Sequence, residues 1–345
     1  MNRRTFLSSA LAAPLAAGAA APRIRIAFLG ASHSHASEKV KVVRENPSLE
    51  LAGIWEEDAS LREQYQKSGV RILSREQLLN DRSVQVIAVE SGVKAHAGHA
   101  RLALEAGKHI HLEKPPADNL KEFRALVALA RQRRLLIEMG YMWRYHPGIN
   151  AALEAARQGW LGEVYLVRGT MNTLIDADRR PEWELFHGGQ MFEQGCHLID
   201  PMVRLLGRPQ KITPILRKHG AFNDHLADNT VAVFEYPRAL GIVMSSVLQP
   251  GATQHRAFEI FGSNGNAVVR PIEPPILQID LAKPAGPYEA RTQTVKLPPF
   301  RRYVGDFAEL AEAVRLKRPL SVAPEQDLLV HEALLGASEM LAASR

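Results

Sequence analysis

Two short clusters hold the residues best suited to proton and hydroxyl chemistry. The first is Glu113-Lys114-Pro115, directly after the β-rich run His109–Leu112. A lysine at a strand end can hydrogen-bond an alcohol oxygen and stabilise the oxyanion that develops as its proton leaves. Partial desolvation is expected to lower its pKa, while Glu113 and the Pro115 turn set its direction. The second cluster is Glu193 and His197, whose i, i+4 spacing puts both on one face of a helical turn. Imidazole titrates near neutral pH, which makes His197 the better candidate for proton transfer. Glu193 has a structural reading beside the chemical one, as a helix-start carboxylate.

A third constellation precedes these. The run Arg23–Leu29 leads into Gly30-Ala31-Ser32-His33-Ser34-His35-Ala36 and then into a helical pattern. A dinucleotide fold places its phosphate turn there, with backbone N–H groups and a positive helix end facing the pyrophosphate. Only the first glycine of G-x-G-x-x-G is present; Ser32 stands at the second and His35 at the third. His33 and His35 are expected to line the cofactor cleft. The next β-rich run ends in Trp55-Glu56-Glu57-Asp58, where an acid would accept from the adenosine ribose. Glu56 is the first choice and Glu57 the reserve. A carboxylate there repels a 2′-phosphate, so NAD is expected over NADP.

The elements that position these residues fall into two sets. Residues 24–140 alternate strand candidates (Ile24–Leu29, Leu49–Trp55, Val84–Glu90, His109–Leu112, Leu135–Met139) with helical stretches around Ser34–Glu45, Ala59–Lys67, His96–Ala106 and Leu120–Arg133. That alternation predicts βαβ units and a parallel sheet. From about residue 160, Glu163–Met171, Ile212–Lys218, Thr230–Tyr236, Gly241–Leu248 and Ala257–Phe261 read as strands of a largely antiparallel sheet with one covered face. Helices are expected at His197–Leu206, Val304–Leu316 and Glu325–Ala343, and the Pro-rich stretch Pro271–Pro299 reads as a long irregular connection.

The segment His96, Ala100, Ala103, Ala106, Gly107-Lys108-His109 before Glu113-Lys114-Pro115 resembles the glucose–fructose oxidoreductase/inositol dehydrogenase (Gfo/Idh/MocA) family. Arg144 and Pro147, Gly159-x-x-Gly162-Glu163, and Gly188-Gly189 leading to Gly195-x-His197-x-x-Asp200 extend the match over about residues 24–265. The resemblance implies an N-terminal Rossmann domain, a C-terminal α/β domain with a large open sheet, and NAD(P)-dependent chemistry on sugars, polyols and their derivatives. It implies Lys114 as catalytic lysine, cofactor contacts from Gly30, Ser32, His33, His35, Glu56, Glu113 and Lys114, and His197 acting with Glu193 on the substrate hydroxyl. Glu193 departs from the family's usual Asp. Tyr141, Arg144, Trp183 and Asp200 are candidate substrate contacts, and dimers or tetramers through the open sheet are implied. Two alternatives stay open: glycoside cleavage through transient oxidation by bound NAD, and a non-catalytic nucleotide- or sugar-binding member.

The 345 residues, 46% hydrophobic and 23% charged, suit a globular chain of two domains and exclude disorder. The single cysteine excludes an internal disulfide. Arg3-Arg4-Thr5-Phe6-Leu7, the Ala-rich run after it and Ala17-Gly18-Ala19 read as a twin-arginine export signal over residues 1–20. Residues 23–145 are then the expected nucleotide domain, and 146–345 the expected substrate-binding and oligomerisation domain, of a periplasmic protein. The net charge of +6 is spread along the chain, giving no support to nucleic-acid or membrane-surface binding. Among 13 histidines, no pattern carries a metal-site spacing with a fixed carboxylate or cysteine cluster, so no metal is expected.

Overall fold

In the computed structural model, residues 22–341 are described; the expected export signal lies outside them. The first set of elements forms a five-stranded, wholly parallel sheet. Its strands are β1 (Ile24–Leu29), β2 (Leu49–Trp55), β3 (Val86–Val89), β4 (His109–Leu112) and β5 (Ile137–Met139), in the order β2-β1-β3-β4-β5. Helices α1 (Ala36–Glu45), α2 (Ala59–Lys67), α3 (Arg75–Asn80), α4 (Val93–Glu105) and α5 (Leu120–Arg133) make the connections. All four residues of β3 are buried, as expected of a central parallel strand covered on both faces. The chain leaves β1 toward β2 and later crosses back to β3. The crevice beyond the carboxyl ends of β1 and β3 is therefore the topological switch point, the usual ligand position of such sheets.

The second set comprises α6 (Pro147–Arg157), β6 (Val164–Thr170), α7 (Arg180–Glu184), α8 (Cys196–Leu206), β7 (Lys211–Arg217), β8 (Asn229–Glu235), β9 (Leu240–Ser246), β10 (Ala257–Gly262), β11 (Gly265–Val269), β12 (Leu277–Leu281), β13 (Thr292–Val295), α9 (Val304–Leu316) and α10 (Pro324–Ala337). Its eight strands run β13-β12-β11-β10-β6-β9-β8-β7, antiparallel except for the pair β6–β9. Ala232 and Phe234 of β8 and Val243 of β9 point into the core, with α6 and α8 packed on the sheet's inner face. Helix α9 returns to β4 and β5, and α10 packs on α5 and α8. The buried apolar residues of both sheets accordingly form one contiguous core.

The α/β architecture is a Rossmann-like parallel sheet followed by a large, mostly antiparallel sheet. One expectation is corrected. The stretch 271–299 is not irregular throughout but contains β12 and β13 at the edge of the second sheet. Prolines stand at 271, 274, 275, 284, 287, 298 and 299, so the strands occupy proline-free gaps, at an edge that tolerates lost donors. Leu277, Ile279 and Leu281 face inward with Gln278 and Asp280 between them, a period-2 signal that the flanking prolines masked. Helices α3 and α6 are also additional to the expected elements; α3 is too short for a periodic signal, though Ser74 and Gln77 form a complete capping box.

Candidate active site

Gly30 directly follows β1 with φ +80, and a Cβ there would lie 2.5 Å from the Ser91 Cβ, so a side chain is excluded where the turn passes the end of β3. The amide of His33 donates to the Glu90 carbonyl (2.9 Å) and that of Ala36 to the His33 carbonyl (2.9 Å). Ser32 and Ser34 are exposed, and their amides have no hydrogen-bond partner among the described residues. At the end of β2, Glu56 accepts from the amides of Ala31 (2.6 Å), Glu57 (2.7 Å) and Asp58 (3.0 Å). A carboxylate has about four acceptor positions, so one remains for a ribose hydroxyl. Free loop amides, the α1 N-terminus and this acid together fit the adenosine–pyrophosphate half of a dinucleotide.

The rings of His33 and His35 reach Glu113, at the end of β4. His33 and His35 rings stand edge to face (4.6 Å between centroids), and His35 Nδ1 lies 3.2 Å from Glu113 Oε2. Lys39, wholly buried in α1, donates to Glu90 (2.7 Å) and to the same Glu113 oxygen. Burial acts to raise the Glu113 carboxyl, but Lys39, His33 and His35 hold it well below the usual range. Burial lowers His35 to about 4, against the pull of Glu113. Ligand atoms of His33, His35 and Glu113 fall within 4.8 Å of one another, a spacing a metal ion can use. However, His33 Nδ1 already accepts the His35 amide (3.2 Å), and the Lys39 ammonium already neutralises Glu113.

Lys114 emerges from β4 with no exposed surface. Its ammonium donates to Glu193 Oε1 (2.6 Å) and to the Glu193 carbonyl (3.0 Å), across the junction of the two sheets. The expected lowering of its pKa is overturned: burial does push it down, but the Glu193 carboxylate outweighs burial and holds Lys114 above its ordinary value. Reciprocally, burial acts to raise Glu193, yet Lys114 and then His33 bring it to about 2. His197 is only 1% exposed, and neither ring nitrogen has a partner among the described residues. Its ring stands 6.2 Å from His35 and 5.6 Å from Trp143. Burial, then the nearby Lys114 charge, holds it well below the ordinary imidazole value, so it is neutral at pH 7.

The expected helical turn at 193–197 differs in kind. Met191–Gly195 is a π-turn, and α8 begins at Cys196. Such turns recur at functional sites. Pro201 lies inside α8 and cannot donate to the carbonyl four residues back, that of His197. The π-turn brings the Glu193 carbonyl as well as its carboxylate to Lys114.

The four expected substrate contacts are placed differently. Arg144, 3% exposed, donates to Asp200 and Asp327 (2.7 Å each) and lies 4.9 Å above the Tyr141 ring. Arg144 and Asp200 are thereby committed to a buried junction of the β5 end, α8 and α10. The Tyr141 hydroxyl is buried without a partner among the described residues. Trp183 packs apart from Lys114, in a small cluster with Ile175, Leu226 and Val247. The residues missed were Lys39, Trp143 and Tyr303. Only the tertiary fold brings Tyr303 against His35 (5.4 Å) and Trp143 against His197.

A family model described as "Oxidoreductase family, NAD-binding Rossmann fold" matches residues 24–141, and one described as "GFO/IDH/MocA C-terminal domain" matches residues 149–268. The chain belongs to the Gfo/Idh/MocA oxidoreductase family. Trans-1,2-dihydrobenzene-1,2-diol dehydrogenase of Bos taurus is 28% identical over 197 residues, covering 56% of this chain and 57% of that one. This Gfo/Idh/MocA chain thus spans about half the length of the curated relatives it matches. Among solved structures, UDP-N-acetylglucosamine 3-dehydrogenase GnnA from Acidithiobacillus ferrooxidans has a TM-score of 0.76 at 20% identity, covering 93% of this chain and 98% of that one. GenD2 from gentamicin A biosynthesis, solved in complex with NAD, has a TM-score of 0.76 at 22% identity over 94% and 96%. These likenesses establish a shared fold.

Proposed function

We propose that this family member is an exported oxidoreductase that moves a hydride between bound NAD and the CH–OH group of a sugar, polyol or related alcohol. The observation that carries this reading is the buried Lys114–Glu193 pair beside an unpartnered, neutral His197. The loop amides of Ser32 and Ser34 and the Glu56 carboxylate would hold the dinucleotide, and Glu56 favours NAD over NADP. When bound, the nicotinamide supplies the hydride acceptor or donor.

The remaining steps belong to the chain's own residues. The substrate hydroxyl sits between Lys114 Nζ and a His197 ring nitrogen. His197 takes the hydroxyl proton as the C–H hydride leaves, giving the carbonyl product. Lys114 stays cationic throughout and stabilises the developing oxyanion, while Glu193 keeps it charged and aimed. The roles expected from the sequence are thus refined: His197 is the base and Lys114 the electrophile.

Arg3-Arg4 and the Ala-rich run after it support export of the folded protein, and hence a cofactor bound before export and held tightly. Self-assembly through the outer face of the second sheet is part of the same proposal. The test is to purify mature protein without added nucleotide, denature it and identify released small molecules by mass spectrometry. Stoichiometric NAD or NADH is expected; an empty protein that also fails to bind added NAD overturns the reading. Lys114→Ala should lower turnover by about 100- to 10,000-fold with the fold intact, and undiminished turnover would remove Lys114 from the mechanism.

A further inference from the structure

The wall beyond His197 carries charges that the proton-transfer chemistry does not use. Trp143, whose ring lies 5.6 Å from His197, donates its indole N–H to Glu273 Oε1 (2.9 Å). Glu273 is also gripped by both arms of the Arg302 guanidinium, with Nε at 2.6 Å from Oε1 and Nη2 on Oε2. Arg302 precedes Tyr303, which packs on His35 of the phosphate turn. The Arg302 charge lies near enough to His197 to lower that imidazole further. A second guanidinium, that of Arg256, directly precedes β10, and the Arg256 carbonyl accepts from the Ile272 amide (3.2 Å), which sets it beside Glu273. Its Nε donates to the Asn172 carbonyl (3.0 Å), and it makes no ion pair among the described residues. Burial lowers its pKa, the Arg302 charge adds to that, and Glu273 only partly offsets them.

One carboxylate thus stands near two guanidiniums, and it is spent on Arg302. A partly buried cation without a counter-ion is costly unless a ligand supplies the charge. Guanidinium forks are suited to planar or tetrahedral oxyanions. We propose that Arg256, flanked by the Arg302–Glu273 pair, binds an anionic substituent of the substrate, a carboxylate or a phosphate, so that the substrate class is an acidic sugar rather than a neutral polyol. This rests on the alcohol-oxidising reading for the reaction but not for the binding. An oxyanion held there would lie on the side of His197 that Trp143 and Glu273 wall. The competing source of the same chemistry is the cofactor's own pyrophosphate.

The probes are D-glucuronate, glucose 6-phosphate and glucose, titrated by calorimetry into the NAD-loaded full chain at two salt concentrations. At least one anionic probe is expected to bind tenfold or more tightly than glucose, with an affinity that falls as salt rises. Arg256→Gln, which keeps a donor for the Asn172 carbonyl, should lose that preference while NAD affinity stays within twofold. Arg256→Lys should keep part of the preference, which separates charge recognition from misfolding. Equal binding of all three probes overturns the proposal, as does a fall in NAD affinity in Arg256→Gln with no change in probe selectivity, which would assign the cation to the cofactor. Because binding is read without turnover, an inactive protein that still prefers the anionic probe would refute the oxidoreductase reading and leave this one standing.

Discussion

At the level of single residues, the protonation states of three buried groups set the chemistry. Lys114 stays charged because Glu193 outweighs burial. Glu193→Gln removes that support and leaves burial to lower the lysine. We expect kcat/KM of this variant to acquire a new alkaline limb, below the ordinary lysine value, that the parent lacks, read from a pH–rate profile; an unchanged alkaline side would mean that Lys114 is not held by Glu193. His197 lies well below its ordinary value, so its neutral, proton-accepting form persists under mildly acid conditions. In the oxidative direction kcat/KM should therefore stay level as pH falls through 6.5 and decline only below it. An acid limb centred at 6.5 would show a solvated imidazole instead.

The elements owe their mutual placement to the buried ionic junction at the end of β5. Arg144 ties Asp200 of α8 to Asp327 of α10. Arg144→Leu leaves both carboxylates without it, although Arg204 remains 3.5 Å from Asp200. A loss of about 3–5 kcal/mol in unfolding free energy is expected from urea titration; a loss below 1 kcal/mol would show the junction to be solvated. Nearby, burial raises the Glu138 carboxyl to about 8, against the opposing pull of Arg144. Folded Glu138 keeps its proton at pH values where the unfolded chain has lost it, so stability falls as pH rises from about 4.5 to about 8. Glu138→Gln still accepts from Tyr145 Oη, which is 3.0 Å from Glu138 Oε1. Its melting temperature should exceed the parent's by a few degrees at pH 8 and converge with it near pH 5. Parallel curves across that window would exclude Glu138 as the titrating group.

Across the whole molecule, the second sheet has one face packed on helices and one left open. On the open face, Leu240 and Met244 of β9 are 47% and 40% exposed, and Ile215 of β7 is 44% exposed. They are joined through the register by the partly buried Val231, Val233, Ile242 and Leu166. An apolar face of this extent, on the same strands in every copy, suits isologous pairing with a second copy. Met244→Glu is expected to convert a dimer or tetramer to a smaller species in light scattering, with the cofactor retained. A parent that is monomeric at micromolar concentration would exclude the proposed assembly.

Local chemistry determined a good deal. The near-continuous apolar runs of β1 and β3 required a sheet covered on both faces, and the period-2 strands after residue 160 required one open face. Gly30 marked a turn that admits no side chain, and the residues around Glu113-Lys114-Pro115 and Gly195-x-His197 marked where chemistry gathers. Such features depend on neighbours within a few positions, which is why they are legible in order along the chain. The tertiary structure decided the rest. Arg144 has the look of a binding residue in a string of letters, yet it is buried between Asp200 and Asp327, 56 and 183 positions away. Lys114 was expected to have a lowered pKa, because desolvation is a local inference; the opposing carboxylate of Glu193, 79 positions on, reverses the sign. Glu273 and Arg302 meet behind Trp143, beside His197, only through the return of the chain after the second sheet. Coulomb energies depend on distance in space, and only the fold sets that distance.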